Sequence, residues 1–249
     1  MQRRKYGLLV ALSVFTMLWG IGCHKNEGGN VMTEDQVTGE SKTAPFKTSD
    51  GWSIVGDYYA PDGKPKGVVI LLHQRNGSAD DWHPLCIALK QAGYLAFPMD
   101  ARGTGRSTQG PGQTGEQAPW DTTGDIEAAV NGLKDKGPVT LIGASYGANN
   151  ALLFAAAQPT LIRSVVLFSP STDYHDLKTT DAVKQYPGPL LIFHQKGDEI
   201  AGDGPAKLDS MSGSKDHKLI VNDGTGHGTA LLNTTTTQQT VDFLRRTSP

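Results

Sequence analysis

Val139-Thr140-Leu141-Ile142-Gly143-Ala144-Ser145-Tyr146-Gly147-Ala148-Asn149-Asn150-Ala151-Leu152-Leu153-Phe154 sets an apolar run against a Gly-x-Ser-x-Gly pentapeptide and then an Ala/Leu-rich segment. The apolar run reads as a short buried strand bounded by Gly137-Pro138. The segment after Gly147 reads as a helix ending near Gln158-Pro159. Glycines on both sides of the turn allow a strand-to-helix connection tight enough to thrust the Ser145 hydroxyl out of the sheet. On this reading Ser145 is a nucleophile. The pentapeptide alone also admits a glycine-bounded turn whose serine merely caps the helix.

The surrounding chain repeats the strand-then-helix rhythm. Phe46 to Tyr59 predicts two short alternating strands joined at Asp50-Gly51, and Val68 to Leu72 is the continuous apolar run of a central parallel strand buried on both faces. A helix is expected from Asp81 to Gln91, a strand over Tyr94 to Phe97 and a helix over Asp125 to Leu133. Further strands are expected over Ser164 to Phe168, Leu190 to Phe193 and Lys218 to Val221. Helices are expected near Pro205 to Met211 and over Thr236 to Arg245. That alternation predicts an α/β fold, a mostly parallel central sheet with helices on both faces. No period of 20 to 50 residues repeats, which argues against a solenoid or propeller.

The first residues read differently from the body. Arg3-Arg4-Lys5 precedes an apolar stretch from Leu8 to Trp19, about 12 residues and too short for a membrane span. Gly20-Ile21-Gly22-Cys23 follows, and it resembles the lipobox of bacterial lipoproteins. The resemblance implies a signal peptide over 1–22, lipidation at Cys23, and a membrane partner through that anchor. The implied address is the outer membrane or cell surface, or otherwise the periplasm or medium. Residues 23–45 are polar and aperiodic, as in a flexible tether, which leaves 46–249 as one catalytic domain.

With 23 basic and 25 acidic residues the chain carries a formal −2, and loss of Arg3, Arg4 and Lys5 with the leader makes the remainder more acidic. No basic cluster remains in the body, so nucleic-acid binding has no electrostatic support. Of the two cysteines, Cys86 sits in the apolar pattern Leu85 to Leu89 and reads as a core residue. No cysteine metal site or intrachain disulfide is implied.

A serine hydroxyl is a poor nucleophile unaided and needs a base, and the base needs a group to orient it. His227, in Asp223-Gly224-Thr225-Gly226-His227-Gly228, lies on a glycine-rich loop after the final strand and is the expected base. Asp198, in Gly197-Asp198-Glu199, follows the Leu190 to Phe193 strand and is the expected orienting carboxylate, with Glu199, Asp203 and Asp173 as competitors.

The order Ser145, Asp198, His227, each at a strand's C-terminal end, resembles the α/β-hydrolase superfamily. Two loops strengthen the likeness. Leu71 to Ser78 looks like the loop after the third strand whose amides help form the oxyanion hole, and Asp100-Ala101-Arg102-Gly103-Thr104-Gly105-Arg106-Ser107 looks like the turn after the fourth. The resemblance implies a serine hydrolase cleaving carboxylic esters of small or accessible substrates through an acyl-enzyme, with no cofactor or metal. It places Tyr146 in the oxyanion hole, with either Arg75 or Gln74 as second donor. The Asp100 to Ser107 turn reads as structural.

About 20 residues separate the sixth and seventh strands, too few for an independent helical lid. A small lidless member similar to dienelactone hydrolases or acetyl esterases is therefore expected, with Tyr174, His175 and Tyr186 on one wall of an open cleft. A short peptidase of the prolyl-oligopeptidase type and a non-catalytic binding protein are the alternatives.

Overall fold

The computed structural model describes residues 42–248; the expected leader, Cys23 and most of the tether lie outside the described residues. Eight strands are present: β1 (Lys42–Lys47), β2 (Ser53–Tyr58), β3 (Val68–Leu72), β4 (Leu95–Met99), β5 (Val139–Ala144), β6 (Ile162–Phe168), β7 (Leu190–Gln195) and β8 (His217–Asn222). They form one sheet in the order β1-β2-β4-β3-β5-β6-β7-β8. β1 pairs antiparallel with β2 and β2 with β4, and every later pairing is parallel. This is the mostly parallel α/β sheet that the alternation predicts.

β1 begins at Lys42, so residues 42–45, assigned above to the tether, are strand, in register from Lys42↔Tyr58 to Lys47↔Ser53. An edge strand needs backbone partners on one side only and tolerates a polar sequence and a proline such as Pro45. Its composition therefore looks like linker.

The helices are α1 (His83–Gln91), α2 (Thr123–Leu133), α3 (Tyr146–Ala157), α4 (Thr180–Gln185), α5 (Gly204–Met211) and α6 (Thr234–Thr247). β3 explains how they divide. Successive side chains of a strand point to opposite faces, so Val68, Ile70 and Leu72 pack with α2 and α3 through Ile126, Val130, Ala148 and Leu152. Val69 and Leu71 pack with α1 and α6 through Leu85, Leu89, Val241 and Leu244. Cys86 lies in that second core and is fully buried.

α6 starts two residues before the expected Thr236, because the Asn233 side chain accepts from the amides of Thr235 and Thr236 and caps the threonine run. α4 is a helix that the sequence pattern does not signal: six residues, with only Ala182 and Val183 buried. Among the described residues no helix is long and apolar enough to cross a membrane.

Candidate active site

The turn between β5 and α3 is built around two missing side chains. A Cβ at Gly143 would collide with the Gly147 carbonyl oxygen and stand 2.6 Å from the Ala148 backbone. One at Gly147 would lie 2.5 Å from the His73 carbonyl oxygen and 2.6 Å from that of Leu72. The first glycine closes the turn and the second lets α3 sit directly on the end of β3. Ser145 between them adopts φ 52° and ψ −120°, and its amide donates to Phe168 O at 2.9 Å. Positive φ is costly for a residue with a Cβ, so the packing around it must hold the turn. Gly147→Ala pits a Cβ against two backbone oxygens that have no rotamer to escape into. It should cost about 1–3 kcal/mol, read as a lowered midpoint in thermal or denaturant unfolding.

At this turn the three residues expected to share a site come together. Ser145 Oγ lies 2.7 Å from His227 Nε2, and His227 Nδ1 lies 2.9 and 3.0 Å from the two carboxylate oxygens of Asp198. An ionised carboxylate only accepts. Nδ1 therefore carries the hydrogen, and Nε2 is left to accept from the serine hydroxyl. The Asp198 side chain is fully buried and that of His227 is 17% exposed; Asp198 Oδ1 also accepts from Ala201 N at 3.1 Å. Glu199 and Asp173 point to solvent, and Asp203 pairs with Lys207 at 2.9 Å.

Beside Ser145, Tyr146 opens α3, so its N–H has no intrahelical acceptor. Burial holds its phenol well above the ordinary range, and the ring stays neutral. The loop after β3 is organised by His73. Its Nε2 lies 3.0 Å from the Ala101 amide and accepts from it, which leaves Nδ1–H to donate to Gln74 O at 2.7 Å. Burial pushes this imidazole down, in keeping with a neutral ring. In a trans peptide the C=O and N–H point opposite ways. With Gln74 O turned toward His73, the N–H of the same peptide, that of Arg75, faces away from it.

The Arg75 side chain leaves the loop in another direction. Its guanidinium donates to Glu116 O at 2.5 Å and Gly115 O at 3.3 Å and lies 4.0 Å over the Trp120 ring, on which His175 also stacks at 3.9 Å. Trp120 meets Tyr146 and Tyr174 edge-on. Two adjacent asparagines of α3 hold the segments that carry these rings. Asn150 bonds Thr122 N and Trp120 O, while Asn149 bonds Ser171 and Leu177 O.

Tyr174 and His175 thus form the aromatic flank with Trp120, which the sequence reading did not single out. Tyr186 does not join it. It is fully buried in the core as the residue that ends α4, where the backbone turns extended and its amide donates to Ala182 O at 2.9 Å.

The Asp100 to Ser107 turn is structural in detail. Asp100 accepts from Ala79 N and from the backbone and side chain of Arg106, and Arg102 bridges Asp125 and Asp50. A cavity of about 370 Å³ adjoins the β3 loop, lined by Arg75, Asn76, Thr104, Thr114 and Glu116 among others. A larger groove of about 600 Å³ between α1 and α6 touches none of the residues of this site. Among the described residues no three His, Cys, Asp or Glu side chains gather as a metal site.

The polar residues missed by the sequence reading, Ser169 and Gln195, sit at the C-terminal ends of β6 and β7. Ser169 Oγ accepts from Gly228 N at 3.0 Å and Gln195 Oε1 from Gly226 N at 2.6 Å. Their signal was a polar residue closing an apolar strand, the end of the sheet where α/β proteins build their sites.

Comparison with known proteins bears on the family and the fold. The family described as "Serine aminopeptidase, S33" matches residues 63–187. A putative protein-lysine deacylase of Pongo abelii is 30% identical over 164 residues, 64% of this chain and 73% of that protein. A monoacylglycerol lipase of Mycolicibacterium smegmatis is 29% identical over 134 residues, 53% of this chain and 47% of the lipase. Among solved structures, the Pyrococcus furiosus esterase Pf2001 superposes with a TM-score of 0.71 at 19% identity, covering 89% of this chain and 97% of the esterase.

Proposed function

Since the chain belongs to the α/β-hydrolase superfamily, in the serine aminopeptidase S33 family, we propose that this serine hydrolase cleaves carboxylic esters of small or accessible substrates. The observation that carries the reading is the hydrogen-bonded series Ser145, His227, Asp198. His227 Nε2 takes the hydroxyl proton as Ser145 Oγ attacks the carbonyl carbon, and Asp198 stabilises the imidazolium. The tetrahedral oxyanion is held by the N–H of Tyr146 and that of Arg75, each such donor being worth about 10²–10³ in rate. Orientation of the 74–75 peptide by His73 supports Arg75 over Gln74 as that donor. His227 then gives its proton to the departing alcohol. A water, activated by the same base, hydrolyses the acyl-enzyme.

Short acyl groups are favoured because the segment between β6 and β7 is brief and carries the six-residue α4 as its helix. The cavity beside Arg75, lined also by Thr104, Thr114 and Glu116, can take a hydrogen-bonding group on the substrate. Amide cleavage is the second reading, favoured by the peptidase description of the matching family and the deacylase name of a relative.

The full-length protein, treated with a fluorophosphonate and digested, should carry the adduct on the Ser145 peptide and should hydrolyse p-nitrophenyl acetate and butyrate. No adduct on folded protein would defeat the proposal. Faster turnover of acyl p-nitroanilides than of the matching esters would favour the amide reading.

A further inference from the structure

The loop carrying His227 lies outside the strands, yet three amides flanking the imidazole are held by side chains. Gly226 N, Gly228 N and Thr229 N donate to Gln195 Oε1, Ser169 Oγ and Gln74 Oε1, the last at 2.8 Å. Each acceptor comes from the C-terminal end of a different strand. Gln74 differs from the other two because it belongs to the oxyanion loop, one residue before the Arg75 amide.

Its reach depends on Gly228, which has φ 58° and where a Cβ would collide with Gln74 Oε1. At its other end the Gln74 carbonyl is fixed by His73 Nδ1 at 2.7 Å and Gly77 N at 2.9 Å. Residue 74 is thus gripped at its backbone by one wall of the site and at its side chain by the opposite wall.

We propose that Gln74 is a positioning residue that bolts the oxyanion loop to the base loop, so that the Arg75 amide and His227 keep a fixed separation across the reacting carbonyl. The inference rests on the serine hydrolase reading above. Without an acceptor at this position, Thr229 N–H loses its partner and nothing spans the two loops on that side. A displacement of about 1 Å between reacting groups can cost on the order of 10² in rate, and it acts on the transition state more than on substrate binding.

Gln74→Met keeps the bulk and removes the acceptor, whereas Gln74→Glu keeps an acceptor oxygen. Gln74→Met should lower kcat on p-nitrophenyl butyrate by about 10–100-fold with KM within about twofold, and should slow phosphonylation of Ser145 in parallel. Gln74→Glu should stay within about fivefold of wild type, because a carboxylate also accepts from Thr229 N. Gly228→Ala, which drives Gln74 Oε1 off Thr229, should reproduce the kcat loss by an independent route. A Gln74→Met protein within about threefold of wild-type kcat, or a loss expressed in KM alone, overturns the inference while leaving a labelled Ser145 intact. A wild-type protein that takes up no phosphonate overturns the hydrolase reading itself.

Discussion

Asp198→Asn should fold as the wild type does and lose about 10⁴-fold in kcat. The substitution preserves size in a fully buried position, and the oxygen that accepts from Ala201 N at 3.1 Å can still accept. Its effect is on the hydrogen at His227. An amide nitrogen facing Nδ1 donates where the carboxylate accepted, which moves the ring hydrogen to Nε2. Nε2 then has no lone pair for the Ser145 hydroxyl 2.7 Å away, and a wrong tautomer of this kind is worth about 10⁴. Steady-state hydrolysis of p-nitrophenyl butyrate and the rate of phosphonylation should fall together, with thermal unfolding near that of wild type. A loss under tenfold would mean that another group orients the base.

Arg102→Met should lower stability by about 3–5 kcal/mol, the range for stripping the partner from a buried charge, and Tm by on the order of 10 °C. Asp125 has no exposed surface, and Arg102 Nε is bonded to its Oδ1 at 2.7 Å. Burial pushes the Asp125 carboxyl up to about 6 against the pull of Arg102. Between its unfolded value near 4 and about 6 the folded protein therefore binds the extra proton. The stabilisation from this group is fully present below pH 4 and is lost as pH rises through 6. Removing Arg102 leaves the charged form worse supported. The gap between variant and wild type should thus be wide at pH 8 and narrow at pH 5 in thermal unfolding, and an equal gap at both would exclude this cause.

What the sequence reveals and conceals follows from how local each signal is. β3 is legible because burial on both faces demands an unbroken apolar run, and Ser145 because Gly143 and Gly147 are sterically required within four residues of each other. His227 and Asp198 stand out because each follows a buried strand in a short loop. β1 is hidden because an edge strand asks little of its side chains, and α4 because six residues show no periodicity. Tyr186 misleads because an aromatic residue in a loop reads the same whether it faces a cleft or the core. Gln74 is legible as a residue of the oxyanion loop but not in what its side chain bonds, and Asn149 only as a polar residue. Their partners are fixed by topology, with Thr229 lying 155 positions from Gln74, and no local pattern carries that information.

The same separations bear on how the molecule comes into being. Ser145 and His227 are 82 residues apart, and the Gln74 to Thr229 bond spans most of the described chain. Contacts of such span close late, since the loop entropy must be met before they contribute. A chain leaving the ribosome can lay down β3 to β6 and the Ser145 turn while His227 has yet to be synthesised. On the mechanism proposed above, hydrolytic competence therefore arrives with the docking of the last strand and helix, and until then the Ser145 hydroxyl has no base beside it.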